Sequence, residues 1–446
     1  MAGPGAAVTE PNPRFVALDV ATEVLSSPRF ITALTTSIVG VSVLCFMLRS
    51  LIGWPGLLAI LSLQVVLAGG SMVVRRGSIE WHGILPVSLI VFITWASLSI
   101  FWSSFKWATL AGLAYLLCFT VFGIYTALLR DTIQVVRAFG DVFRLVLAGS
   151  VSIEIFAGVL IDSPIPFLEI LGKLNEFGPI QGFSGARNQL GILAVLALVT
   201  FAIEFRTKSV TRGVAIGSAV LAALVLLLTR SPLATGSLVI VIVAAAALYG
   251  LRRAEPERRR FLQLGLLLTA VVISSAVWAA RSPIVQVFNA TGELSYRLAI
   301  WRRAWDLIAL NPIEGWGWIG PWRSNLSPFL FFNGLNSRTP TTASNAFVDV
   351  WLQLGLAGLM IFVGLVGLAF VRSWLLASSQ RSVVFTWPAL ILVVLVATAL
   401  AESSMLFEFG WLTFVTCTVK AAHHLSWRKA LKGLRDAGLT KPEDQK

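Results

Sequence analysis

The chain has 446 residues, of which 57% are hydrophobic and 13% charged, and its formal net charge is +13. Soluble domains carry about 25% charged residues, so this composition excludes an ordinary soluble enzyme or binding domain. Many uncharged stretches contain about 20 apolar residues, the length of helix that crosses a hydrocarbon core of about 30 Å. The sequence therefore predicts an all-α, polytopic integral membrane protein.

In chain order, residues 1–30 form a polar leader without the charged and apolar regions of a cleaved signal peptide. We expect the first span to be retained as a signal anchor. Transmembrane spans one to nine occupy residues 31–280, a long extracytoplasmic loop occupies 281–344, spans ten to twelve occupy 345–425, and a basic tail occupies 426–446. The expected fold is a helical bundle of about twelve spans. The predicted spans cover residues 31–48, 52–73, 82–102, 107–128, 142–161, 188–204, 213–229, 234–250, 261–280, 345–371, 384–401 and 404–424.

Lysine and arginine predict the orientation of these spans, because basic residues collect in cytoplasmic loops. With both termini cytoplasmic, most of the 35 basic residues lie in the inner segments. The Arg-rich stretch at residues 252–260 is then a solvated inner loop rather than a nucleic-acid site. We expect a multi-pass protein of the inner or plasma membrane with no nucleic-acid partner.

Three arginines on the predicted outer side are candidates for function. Arg187 lies at the outer mouth of span six, Arg230 ends span seven at a tight turn, and Arg297 lies in the long loop. Arginine binds phosphate oxygens with a planar, permanently charged fork. The alternative for each is snorkelling to lipid headgroups, which suits Arg230 least because its hairpin is very short.

The long loop contains a predicted amphipathic helix over residues 293–310. Arg297 lies just beyond one edge of its apolar stripe, whereas Arg302 and Arg303 are expected to face water. A glycine-punctuated turn with aromatic rings follows at residues 315–320. Its tryptophans serve either as interfacial anchors or as platforms for sugar rings. The stripe consists of Leu294, Leu298, Trp301, Trp305 and Ile308.

The side chains on the predicted outer face limit the chemistry. His82, His423 and His424 all lie at the inner side, which excludes Ser-His-Asp hydrolysis on the outer face and leaves a carboxylate or a weaker group as general base. The outer acidic residues are scattered without metal-ligand spacing, so we expect no metal and no cofactor. An arginine-lined outer site suits a lipid-linked anionic substrate with a phosphate leaving group. The acidic residues are Asp162, Glu169, Glu176, Glu293, Asp306, Glu314, Asp349 and Glu402.

Residues 180–400 resemble the O-antigen ligase and O-antigen polymerase family, which includes exopolysaccharide polymerases. The resemblance depends on the order of several short motifs and on their predicted outer placement. The motifs are residues 183–191, Thr229-Arg230-Ser231, Tyr296-Arg297 followed by Trp301, Asn311-Pro312 with Gly315-Trp-Gly317, and residues 344–358, which open with Ser344-Asn345 and contain Asp349.

The resemblance implies metal-independent glycosyl transfer from a polyprenyl-diphosphate-linked glycan to a glycan or glycolipid acceptor at the outer leaflet. By position, Arg230 and Arg297 match the family's two essential arginines, which bind the diphosphate, and Asn345 matches the Asn of its His-Asn pair. Ser344 stands where ligases have the histidine thought to assist the acceptor hydroxyl, so a polymerase or divergent transferase fits better than a ligase. The bases considered in its place are Glu293, Glu314 and Asp349, and the expected substrate contacts are Arg187, Asn188, Trp301, Trp316 and Arg338.

Two other classes of function stay open. A transporter of polysaccharide or lipid-linked glycan suits twelve spans, although the longest loop is outside and no internal repeat is visible. A non-catalytic relative that binds lipid-linked glycan would explain Ser344.

Overall fold

The computed structural model describes residues 22–77, 86–176, 178–279, 291–335 and 339–424, and these ranges are built from α-helices. Within them, an isolated bridge between Ile165 and Ile170 is the only β pairing. The predicted all-α class is therefore confirmed. The leader up to residue 21 and the basic tail lie outside the described residues. The helices are α1 (Pro28–Val43), α2 (Cys45–Val74), α3 (Val87–Leu98), α4 (Lys106–Leu129), α5 (Thr132–Ile155), α6 (Arg187–Thr207), α7 (Arg212–Thr229), α8 (Pro232–Arg253), α9 (Pro256–Ala279), α10 (Thr291–Leu310), α11 (Ala346–Ser379), α12 (Thr386–Ala399) and α13 (Glu408–His424).

Seven helices in the described ranges are long and apolar enough to cross a membrane: α2, α4, α5 with its continuation to Leu160, α6, α7, α8 and α11. Shorter apolar helices occur at Pro28–Val43, Val87–Phe101 and Val383–Ala399. A polytopic helical membrane bundle is the architecture that these helices support. Each of the twelve predicted spans overlaps one of the helices, and the number that cross the bilayer stays a prediction.

Helices α6 and α12 lie in the interior of the bundle, where most residues of α6 and almost all residues of α12 are buried. Trp387 of α12 is fully buried and donates its indole N–H to the Thr200 hydroxyl of α6 at 3.1 Å. Helices α7 to α9 lie at the periphery and expose large apolar side chains such as Leu227 and Phe261. Such surfaces suit lipid, because lipid tails are as apolar as these side chains.

Helix α10 confirms the predicted helix of the long loop, and the predicted apolar stripe is buried only in part. Leu298 and Trp305 of the expected stripe are 41% and 46% exposed. Ile308 of the same stripe is buried, and the other buried residues of the helix lie about 125° round the helix from the middle of the stripe. This buried face consists of Tyr296, Ile300, Ala304 and Leu307.

The turn at residues 315–320, here named the docking turn, anchors the long loop on a break in α11. Gly355 adopts φ 68° and ψ −174°, which interrupts the helix and frees backbone groups around it. The docking turn pairs with these groups: Trp316 N donates to Leu352 O at 3.1 Å and Gly317 N to Gln353 O at 2.8 Å. The Gln353 side chain also accepts from the backbone N–H groups of the turn, at 2.9 and 3.1 Å. An irregular backbone at membrane depth is tolerated where protein satisfies its polar groups in this way.

Candidate functional site

A cavity of about 1200 Å³ opens beneath the long loop, between α1, α2, α4, α6 and the start of α13. Small-molecule pockets usually have volumes of about 300–1,000 Å³, so this cavity can hold a substrate larger than a single sugar. Four carboxylates and two arginines line it. They are Glu169, Glu293, Glu402, Glu408, Arg49 and Arg323.

A chain of hydrogen bonds leads from the cavity-lining residues Asn188 and Glu402 to Arg297 and Ser231 behind them, and it joins three of the motifs on which the family resemblance depends. Arg297 Nη2 of α10 donates to Glu402 Oε1 at 2.8 Å, and Asn188 Nδ2 of α6 donates to the same oxygen at 2.9 Å. Ser231 Oγ, at the start of α8, donates to Asn188 Oδ1 at 2.8 Å. Glu293 Oε1 lies 4.0 Å from Arg297 Nη2. Glu402 is therefore the centre of the network.

Burial raises the pKa of Glu402 above that of an ordinary glutamic acid. Arg297 and the Asn188 hydrogen bond lower this pKa, and the nearby charge of Glu293 raises it. Both hydrogen bonds to the carboxylate end on Oε1. Within the described part of the chain, Oε2 accepts no hydrogen bond, and the residue lines the cavity.

Arg187 and Arg230 flank this network without joining it. Arg187 begins α6 beside Asn188, and Arg230 ends α7 beside Ser231 in a left-handed conformation at φ 47°. Arg230 is exposed. Neither guanidinium has a hydrogen-bond or ion-pair partner among the residues that the structure describes, and neither side chain is among those that line the cavity.

The Ser344-Asn345 pair and Asp349 lie where the long loop enters α11. Ser344 lines the cavity at φ 50°, whereas the Asn345 side chain caps α11 by accepting from Phe347 N at 3.0 Å and Val348 N at 3.2 Å. Asp349 is fully buried and accepts from Ala343 N at 2.9 Å and from the Ser403 hydroxyl. In this arrangement Asn345 and Asp349 hold the end of the loop, and Ser344 is the one of the three that borders the cavity.

The remaining predicted site residues are dispersed. Trp301 donates its indole N–H to Ala343 O at 2.9 Å and Trp316 donates to Leu307 O at 3.0 Å, so both indoles tie the loop together. Glu314 is exposed and, unlike Glu293, does not border the cavity. Arg338 lies outside the described residues. Among those described, no three His, Cys, Asp or Glu side chains gather as a metal site requires.

Sequence reasoning missed most of the polar residues that line the cavity at α2, α4 and α13. Arg49 Nη1 lies 3.1 Å from Glu408 Oε1, and Tyr115 donates its hydroxyl to the same oxygen at 2.8 Å. The ring of Trp54 also borders the cavity there. The sequence did offer a signal: Arg49 directly follows the first predicted span, and Glu408 lies near the start of the twelfth. Charges inside or at the ends of membrane spans often mark functional sites.

Comparison with known proteins identifies one family. Residues 217–363 match the family model described as O-antigen ligase, and this segment contains Arg230, Arg297, Ser344 and Asn345. A search of curated proteins finds no match to the chain. The match supports the resemblance predicted from the sequence motifs: residues 217–363, about a third of the chain, are similar to the O-antigen ligase family.

Proposed function

We propose that this chain is a glycosyltransferase of cell-surface polysaccharide assembly, acting on a polyprenyl-diphosphate-linked glycan donor at the outer leaflet of the cell membrane. Both termini are cytoplasmic in this proposal, and the reaction requires no metal ion. The observation that supports it is the network that connects Arg297 and Ser231 to the cavity-lining residues Glu402 and Asn188. The O-antigen ligase match supports the same class of activity.

Arg297 is suited to bind the diphosphate. Its side chain is 12% exposed, and its Nε is buried without a hydrogen-bond partner among the described residues. A buried donor without an acceptor is costly, and a phosphate oxygen would supply the missing acceptor. This region contains three arginines, Arg187, Arg230 and Arg297. They outnumber its two carboxylates, which are Glu293 and Glu402. Guanidinium groups therefore stabilise the departing diphosphate in place of a metal.

Glu402 is the carboxylate best placed to accept the proton of the acceptor hydroxyl. Its Oε2 has no protein partner in the described region, and burial raises its pKa, which makes it a stronger base than an exposed glutamate. In the proposed step, the acceptor O–H bond breaks toward this carboxylate and the acceptor oxygen bonds to the anomeric carbon. The bond from that carbon to the diphosphate oxygen breaks, and the diphosphate leaves with the electron pair.

The test is transfer activity in cells that carry Arg230→Ala or Arg297→Ala. We expect both variants to lose surface glycan while their level in the membrane stays that of the wild type. Arg302→Ala is the matched control, because Arg302 is exposed on the same helix as Arg297. Full activity of both site variants would contradict the proposal.

The lipid-linked intermediates that accumulate after deletion distinguish the two forms of this function. Single repeat units indicate a polymerase, whereas long chains indicate a ligase. Ser344 favours the polymerase, since its hydroxyl is a far weaker base than an imidazole.

A second candidate is a non-catalytic relative that binds lipid-linked glycan for a partner enzyme. The observation in its favour is that Asn345 serves as a helix cap and that Ser344 offers no titratable group. Transfer by the purified chain alone would exclude it.

A further inference from the structure

A second arginine–carboxylate pair lies on the cavity wall formed by α2, α4 and α13. Arg49 Nη1 of α2 is 3.1 Å from Glu408 Oε1 of α13, and Tyr115 of α4 donates its hydroxyl to that oxygen at 2.8 Å. All three residues line the cavity. The remaining oxygen of Glu408 has no partner among the described residues and is not enclosed by protein.

An indole ring lies beside this pair. The Arg49 guanidinium carbon is 5.0 Å from the ring centroid of Trp54, and the Trp54 and Tyr115 rings meet edge to face at 6.0 Å. The backbone of α2 breaks at Gly53, with φ 69°, immediately before the tryptophan. Trp54 is 49% exposed and borders the cavity, so part of its ring is available to a ligand.

Packing alone accounts poorly for this cluster. The Arg49 and Glu408 side chains are 30% and 24% exposed, so the pair has lost most of its hydration while still facing the cavity. Removing two charges from water often costs more than their attraction returns. Glu408 also adopts a left-handed backbone at φ 47°, and strained residues of this kind cluster at functional sites.

We propose that Arg49, Trp54, Tyr115 and Glu408 form a sugar-binding subsite that holds one residue of the glycan while its diphosphate lies at Arg297. The subsite rests on the proposed function and deepens it. A sugar ring presents C–H groups on its faces and hydroxyls at its edge, which match an indole face beside hydrogen-bond donors and a carboxylate acceptor.

Charge favours a neutral sugar over a phosphate at this subsite. Arg49 and Glu408 cancel each other, and the free oxygen of Glu408 repels an anion but accepts a hydroxyl proton. At the Arg297 network, by contrast, Arg187 and Arg230 add positive charge without a partner among the described residues. The two walls therefore differ in the part of a lipid-linked glycan that each can bind.

The segment that joins α12 to α13 connects the two subsites. Glu402 and Glu408 both line the cavity, and the six-residue step between them includes the short 3₁₀ turn Ser404–Leu406. Six residues span at most about 20 Å when extended. One bound donor can thus contact both carboxylates.

The test measures binding to the purified full chain of two probes: undecaprenyl diphosphate, and the lipid-linked glycan that accumulates in cells lacking the chain. We expect the wild type to bind the glycan more tightly than undecaprenyl diphosphate. Trp54→Ala should weaken glycan binding about tenfold and leave the affinity for undecaprenyl diphosphate unchanged. Trp107→Ala is the matched control, because Trp107 is 83% exposed and lies outside the cavity lining.

Charge reversal separates a binding role from a structural one. The double variant Arg49→Glu with Glu408→Arg keeps an ion pair but exchanges its donor and acceptor, so a purely structural pair would be restored. We expect this variant to fold and to lose the preference for the glycan. Wild-type glycan affinity in both Trp54→Ala and the reversed variant would overturn the subsite and leave the proposed function intact. Failure of the wild type to bind either probe would overturn both.

Discussion

Gly355 is the residue on which the position of the long loop depends most, and its replacement by alanine makes a quantitative prediction. At φ 68° and ψ −174°, a side chain is strained by about 1–3 kcal/mol. An added methyl carbon would also overlap the carbonyl oxygen of Ile313 and lie 2.5 Å from Glu314 N. If two hydrogen bonds of the docking turn are lost at about 1 kcal/mol each, the free energy of unfolding falls by about 3–5 kcal/mol.

Thermal unfolding of the purified protein in detergent, with limited proteolysis of the 281–344 loop, measures this effect. We expect a lower midpoint, faster cleavage within the loop and loss of glycan transfer, because the loop carries Arg297. Gly364→Ala is the matched control in the same helix, where an added methyl meets open space, and it should be neutral or stabilising by about 0.5–1 kcal/mol. Wild-type stability and loop protection in Gly355→Ala would refute the reasoning.

Three further predictions concern the cavity wall. Glu402→Gln should keep the shape of the network but reduce the initial rate of glycan transfer by about 10²–10⁴-fold, with an unchanged amount of protein in the membrane. A wild-type rate would rule out Glu402 as the base. Glu293→Gln removes a charge that raises the pKa of Glu402, so the pKa of Glu402 should fall. Because the ionised carboxylate accepts the proton, the acidic limb of the pH–rate profile should move to lower pH. An unmoved limb would contradict the electrostatic coupling between the two glutamates. Trp301→Phe removes the hydrogen bond to Ala343 O and should reduce the free energy of unfolding by about 1 kcal/mol with transfer retained; loss of transfer at unchanged stability would instead place Trp301 in the substrate site.

The helices of the bundle were predictable because the length of an apolar run is set by the thickness of a bilayer. The predicted span 107–128 corresponds to the observed Lys106–Leu129. The breaks at Gly53 and Gly355 were not predictable, since glycine is common inside transmembrane helices. At Gly355, only the loop that docks there shows why the backbone must open.

The candidate site was predictable in part. Arg297 stood out as a charge at the edge of an apolar stripe, and in the structure it donates a hydrogen bond to the cavity-lining Glu402. Its partner Glu402 lies 105 residues away in a connection predicted to be very short, and Arg49 meets Glu408 across 359 residues. Pairs so distant arise from helix packing, which no local pattern encodes. The capping role of Asn345, by contrast, was readable from an Asn directly before a helix.

The most direct test of the central claim is glycan transfer by the purified chain in liposomes that contain a polyprenyl-diphosphate-linked glycan, with EDTA present and no other protein. We predict that the wild type and Arg302→Ala transfer glycan, and that Arg297→Ala does not. Absence of transfer by the wild type, or equal transfer by Arg297→Ala, would contradict the account.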